Sequence, residues 1–361
     1  MSSVVIIHGS NDVYGASRVL LDEACALQTL GHSVAVVLPT EGPLTKKLSD
    51  MGVQVHIEPS MSVLRKSALQ DSLRSPWLPK AARKADVVVL WTLAVAHYSI
   101  ALRLSRRRFY VAVHELLPGR LGTTLVNALV RSGSFDVTSC SGAVKSWLIS
   151  CGVDAERIRV TYPVIDFAEE ATELPQLSTS DTVAVVARVN GHKGHEAVAR
   201  AFIRVAPPEA KLILAGSPYP GQEHHLTSLM SVVSTDPRLQ YTGEIGNLSD
   251  LPSDVGLVAC FPSRPEPFGL VPIEAATRGI LSMGFADGGA AEALALVGGI
   301  AVERSVDDET AIGSALDSWF QAEPGTRPRP SLLKAKAELT LAKRADTLSK
   351  LDVWTDRGDE T

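Results

Sequence analysis

The sequence has little that would commit it to a membrane, to export or to a metal. No apolar run reaches the ~18 residues that a membrane-spanning helix needs. The stretch Val4 to Ile7 is too short for the core of an export signal and has no basic residues before it, so an exported protein is not expected. Cysteine is scarce: Cys25, Cys140, Cys151 and Cys260 stand far apart, with no CxxC and no metal spacing. Reduced thiols in the cytoplasm are the simplest reading. There is no Asp-x-Asp pair, no His/Cys cluster, no short internal repeat and no nucleic-acid recognition motif. A mainly disordered chain is excluded as well, because 45% of the residues are hydrophobic and only 21% charged.

What is present is a chain of 361 residues, too long for one ordinary core of ~100–200 residues. The net charge of −5 conceals an uneven distribution. Residues 1–165 carry 18 Lys and Arg against 12 Asp and Glu, a balance of +6, and residues 166–361 carry 17 against 28, a balance of −11. The division falls near an acidic, Ser/Thr-rich stretch with Pro175 at residues 168–180, which has the composition of a linker. Before it, Val4–Ile7, Ser33–Leu38, Val53–Ile57, Val87–Leu90, Tyr110–Val113 and Val137–Ser139 read as buried strands, separated by helix-sized segments. After it the pattern restarts with Val183–Ala187, Leu212–Ala215, Leu239–Thr242, Leu257–Phe261 and Ile280–Gly284. Strand and helix in alternation imply an α/β fold with two Rossmann-like, doubly wound parallel sheets. The spacing of Leu332, Leu339, Ala345, Leu348 and Leu351 predicts one long amphipathic helix between Pro330 and Trp354. The expected division is therefore 1–166, 167–335 and a closing helix and tail at 336–361, the helix completing the second core or leaning back on the first domain.

Two segments of the second half carry chemistry. Pro262 to Glu274 follows a strand, the end at which open α/β sheets bind ligands. Gly269 lets backbone approach a ligand. The helix that starts near Leu270 offers free amides to an anion, with Pro272 in its first turn. Glu266 and Glu274 supply acceptors for hydroxyls. After the first strand of this half come Arg188 and Lys193, two cations at the same rim and suited to a diphosphate. Each element alone also fits a solvated surface loop; together they describe a phosphate pocket.

These residues resemble glycosyltransferase family 4 (group 1), retaining enzymes of the GT-B architecture. Glu266-Pro-Phe-Gly-Leu-x-x-x-Glu274 is similar to the family's E-x7-E motif, and Arg188 and Lys193 match its Arg-x-x-x-x-Lys-Gly pair. Gly9 and Gly15, Val113-His114-Glu115, Leu214 to Ser217, Thr242-Gly243 and Gly288 to Glu292 correspond in order to its other loops. The family's paired glycines before the first helix are replaced by Tyr14-Gly15-Ala16, and its Asn-Gly-Val-Asp hinge by Tyr162 to Asp166.

The resemblance implies two domains facing across a cleft and a nucleotide-sugar donor, UDP- or GDP-linked, with no cofactor and no metal. It assigns catalysis to Glu266, His114, Arg188 and Lys193. Donor binding falls to Gly15, Arg188, Lys193, Gly216, Gly243, Glu266, Phe268, Gly269, Leu270 and Glu274. Glu274 would hold the ribose, Glu266 the transferred sugar, and His114 would meet that sugar from the first domain. A sugar-nucleotide epimerase of the same architecture and a non-catalytic nucleotide-sugar-binding protein are the alternatives. The expected acceptor is a glycan or lipid-linked hydroxyl, in cell-envelope glycan, glycolipid or polysaccharide synthesis. Arg65-Lys66, Arg74, Lys80, Arg83-Lys84, Arg103, Arg106 to Arg108 and Arg120, with Trp77 and Leu78 among them, suit contact with anionic lipid at the inner face of the membrane. The same residues also fit a solvated basic face, and no nucleic-acid partner is expected.

Overall fold

The computed structural model describes residues 1–64, 77–117, 119–131, 133–167 and 180–355. The expected linker at 168–180 and the basic residues Arg65, Lys66 and Arg74 lie outside the described residues, Ser180 excepted. The chain divides into two compact units, residues 1–164 with 338–361, and residues 165–337. Residues 338–361 therefore belong to unit 1 rather than forming a segment of their own, and the divisions expected after 166 and 335 each move by two residues.

Unit 1 is built on seven parallel strands: β1 (Ser3–His8), β2 (Ser33–Leu38), β3 (Gln54–Ile57), β4 (Val87–Trp91), β5 (Arg108–Val113), β6 (Asp136–Ser139) and β7 (Ile158–Val160), in the order β3-β2-β1-β4-β5-β6-β7. Their central members are apolar throughout because helices cover both faces, as a parallel sheet requires. Val4, Ile6, Val36, Val87, Val89 and Tyr110 pack with Val19, Leu20, Ala24 and Leu27 of the helix Ala16–Thr29.

The same core takes in Ala345, Leu348 and Leu351 from the end of the chain. The single long helix expected there is instead two, Leu333–Glu338 and Leu341–Ser349, followed by a short turn at Asp352–Trp354. Thr340 causes the break: its side chain accepts the Lys343 N–H at 3.1 Å and caps the second helix, an arrangement available only with extended backbone at the cap. A charge lies within this apolar packing. Arg344 pairs with Glu23 at 2.7 Å, both side chains almost wholly buried, and Tyr110 donates its hydroxyl to Glu23 at 2.5 Å. Arg344 also donates to the carbonyls of Thr161 and Tyr162, at 3.3 and 2.6 Å. Asp22 accepts the N–H of Val164. The end of the chain thus fastens the segment by which it leaves unit 1.

Unit 2 has six parallel strands: β8 (Thr182–Val186), β9 (Lys211–Ala215), β10 (Leu239–Gly243), β11 (Val255–Cys260), β12 (Leu281–Phe285) and β13 (Ile300–Val302), in the order β10-β9-β8-β11-β12-β13. In both sheets the connections reverse direction at the first strand, between β1 and β4 and between β8 and β11. Ligand crevices of open α/β sheets form at the carboxyl ends of such neighbours.

Candidate active site

In unit 2 the loops after β8 and β11 meet at that reversal. Ser263 N–H donates to His192 O at 2.8 Å, which ties one loop to the other. The helix Gly288–Val297 starts directly against the β11 loop, with Gly289 N–H donating to Glu266 O at 2.7 Å. A Cβ at Gly289 would stand 2.0 Å from Pro267 O, so only glycine permits this approach, and it fixes the backbone of Glu266. Glu266 in turn forms an ion pair with Lys193, through Oε1 and Nζ. Lys193, Glu266 and Gly269 line a small cavity of about 40 Å³ together with Cys260, Pro272 and Ala290. Burial, and then the charge of Glu266, hold the Cys260 thiol well above its ordinary range, so it is protonated and no nucleophile.

The helix Val271–Thr277 begins at Leu270, with Glu274 in its first turn and Phe268 buried beneath the loop. Gly216 and Gly243 meet at the ends of β9 and β10, where Gly216 N–H donates to Gly243 O at 2.7 Å. A Cβ at Gly216 would lie 1.7 Å from Ala187 O. Arg188 is half-buried and does not line the Lys193 cavity; its guanidinium stands 3.6 Å over the ring of Tyr219. Tyr219, which makes this cation–π platform, was not among the residues singled out in the sequence. Asp307 caps the helix Asp308–Gln321 by accepting the Glu309 N–H at 3.1 Å.

In unit 1 the corresponding strand ends carry Gly15 and His114. Gly15 precedes the helix Ala16–Thr29 with φ +48°, and its Cα faces open space. The next carbonyl, Ala16 O, accepts the Trp91 indole N–H at 2.9 Å. Ser17 Oγ bonds His8 Nε2 at 2.9 Å. The Trp91 ring lies against His114, with centroids 4.3 Å apart and planes inclined by 36°. Burial, then the positive charge of Arg344, push the His114 imidazole well below the ordinary histidine range. Both effects favour the neutral imidazole over the cation. Glu115 follows it and behaves oppositely: burial raises its carboxyl to about 7 against the pull of the N–H groups it accepts.

Residues 13–169 match the model of Glycosyltransferase Family 4, and residues 166–331 that of Glycosyl transferases group 1. The chain belongs to the group 1, family 4-like glycosyltransferases. Crystal structures agree on the fold of this glycosyltransferase, which is GT-B. HepE of Anabaena, solved in complex with UDP and glucose, superposes with a TM-score of 0.78 at 20% identity, over 97% of this chain and 98% of that one. Sucrose-phosphate synthase of Thermosynechococcus elongatus gives a TM-score of 0.70 at 16% identity, over 97% and 98% of the two chains. A glycosyltransferase of Rickettsia africae gives 0.73 at 16%, over 96% of each. No curated protein matches the glycosyltransferase by sequence.

Proposed function

We propose that the protein transfers a sugar from a UDP- or GDP-linked donor to a hydroxyl of a glycan or lipid-linked acceptor, with retention of anomeric configuration. The observation that carries this reading is the pairing of Lys193 with Glu266 at the mouth of the β11 loop, within a chain that matches the group 1 model over its second unit. UDP is the favoured carrier, because HepE, of the same fold, holds UDP and glucose. Arg188 and Lys193 neutralise the diphosphate and stabilise the charge that grows on it as the sugar leaves. In this reading they take the part that a divalent ion plays elsewhere, and no cofactor is required. Glu274 accepts from the ribose. Glu266, with the amides of Phe268, Gly269 and Leu270, holds the sugar hydroxyls, and neutral His114 hydrogen-bonds the same sugar.

Retention follows from a front-face displacement. The bond from the anomeric carbon to the donor phosphate breaks as the acceptor oxygen bonds on the same face, and the acceptor proton passes to the departing phosphate. The protonated state of Cys260 removes the thiol as a competing nucleophile in that cavity. We place the acceptor in cell-envelope glycan, glycolipid or polysaccharide synthesis, on the cytoplasmic side of the membrane. Exposed Trp77, Ile100, Leu104 and Leu121 among Lys80, Arg103, Arg106 and Arg120 support a peripheral contact with anionic lipid. Arg107 contributes less, since it donates to Ala85 O at 2.9 Å.

The test is incubation with UDP-glucose, UDP-N-acetylglucosamine and GDP-mannose, with and without candidate acceptors, followed by NMR. Slow release of the nucleotide diphosphate without acceptor and an α-linked product from an α-linked donor support the reading. Isomerisation of the donor sugar in the absence of acceptor would make the protein an epimerase, and tight binding with neither reaction a binding protein.

A further inference from the structure

The support of His114 contains one strained residue. Thr92, directly after β4, has φ +80° and ψ 158°. A Cβ is barely tolerated there, and the region is almost confined to glycine. A β-branched residue keeps such a conformation only where its surroundings leave it no other. The bonds around Thr92 do so. Its N–H donates to Ala112 O on β5 at 2.8 Å. The next N–H, of Leu93, donates to Glu115 Oε1 at 2.9 Å, and the Thr92 hydroxyl also bonds the Glu115 carboxylate. The other oxygen, Glu115 Oε2, accepts the N–H of His114 at 3.0 Å. One carboxylate thus closes over the ends of two neighbouring strands. On the opposite side Trp91 packs on His114 and is itself held by Ala16 O.

We propose that Glu115 is a positioning residue, whose carboxylate holds the strained Thr92–Leu93 turn and the His114 backbone in one arrangement and so sets where the His114 imidazole meets the transferred sugar. This rests on the role given to His114 above. Strain at the carboxyl end of a sheet, beside the reversal of strand order, is where a site stores it to keep a group in place. The acid is specific to the task. A glutamine would bring one acceptor oxygen and one NH₂, and the NH₂ would face a backbone N–H, donor against donor.

The experiment is a double-mutant cycle between Glu115→Gln and His114→Ala, read as kcat and KM for nucleotide-sugar hydrolysis with UDP-glucose, UDP-N-acetylglucosamine and GDP-mannose as probes. Glu115→Gln should lower kcat about 10- to 100-fold, the loss expected when a group moves by about an ångström. The donor KM should stay within about twofold, because the groups assigned to the donor phosphates stand in unit 2. In the His114→Ala background the same change should cost less than about twofold, since nothing remains to be positioned. Parental turnover in His114→Ala would overturn the role of His114 itself. An impaired His114→Ala with a parental Glu115→Gln, or an equal loss from Glu115→Gln in both backgrounds, would overturn the positioning and leave His114 in place. If Glu115→Gln does not fold, the cycle is run on Thr92→Gly, in which glycine takes the strained conformation without steric cost.

Discussion

Arg344 offers the sharpest test of how unit 1 is held together. Replacing it with methionine keeps most of the volume and removes the cation paired with Glu23. Glu23 would remain as a buried carboxylate supported by Tyr110 alone, and the Thr161 and Tyr162 carbonyls would lose their donors. Breaking one side of such a pair costs about 3–5 kcal/mol, because a desolvated charge is left uncompensated. With a urea dependence of about 2 kcal/mol per M, the midpoint of unit 1 should fall by about 1.5–2.5 M. Tryptophan fluorescence reads this unit, since Trp77, Trp91, Trp147 and Trp354 belong to it and only Trp319 to unit 2. The triple change Arg344→Met, Glu23→Leu, Tyr110→Phe should recover at least half of the loss, because an apolar replacement of a buried ionic group removes the desolvation cost together with the attraction. A single variant within about 1 kcal/mol of the parent, or a triple variant no better than the single, would refute the reasoning.

Lys193→Ala and Arg188→Ala should each lower turnover at saturating donor by at least about 100-fold with the fold intact, since charge stabilisation of a leaving diphosphate is worth several kcal/mol of barrier; near-parental turnover in either would remove it from the diphosphate site. Glu274→Ala should weaken both donor and free UDP in calorimetry, whereas Glu266→Ala should spare or strengthen UDP binding, because it frees Lys193 from its ion pair, and should still reduce transfer. Glu115 gives a pH signature: its folded carboxyl is raised from 4.5 to about 7, so its contribution to stability is full below about 4.5 and is lost as the pH rises through about 7. Glu115→Gln should therefore gain stability relative to the parent between pH 5 and pH 8, measured by urea unfolding at each pH, and a pH-independent difference would contradict it. Co-sedimentation with vesicles should require anionic lipid, weaken with salt and fall when Leu104 and Leu121 become Ser; indifference to lipid charge would point to a soluble acceptor.

The strands of both units are legible because a parallel sheet covered on both faces writes its central members as unbroken apolar runs, such as Val4–Ile7 and Val87–Leu90. The two strands that escaped notice, β7 and β13, are three residues long and lie at sheet edges, where pairing on one side suffices and the run is too short to stand out. The break at Thr340 was hidden for a different reason: the apolar spacing continues through it, and only the hydroxyl as a cap ends the helix. Of the residues proposed for the site, Arg188, Lys193 and Glu266 stand out in the sequence because they lie in the segments after β8 and β11, and Glu274 because it lies in the first turn of the helix that follows. Glu23 and Arg344 could not be paired from the sequence, since 321 residues separate them and each alone reads as the polar edge of an amphipathic helix. Nor could Thr92, whose importance lies in a backbone conformation that its side chain disfavours.

Unit 1 is written in two pieces, with the whole of unit 2 between them. On the ribosome, residues 1–164 emerge first, yet Glu23 has no Arg344 to neutralise it, and the apolar face that receives Ala345 and Leu348 stays open. Unit 2, uninterrupted in sequence, can close its own core before the last part of unit 1 has been made. Unit 1 is therefore begun before unit 2 and finished after it. A polypeptide truncated after unit 2 would carry an intact unit 2 beside an unsealed unit 1, and quality control would meet it as an incomplete protein with its buried carboxylate exposed.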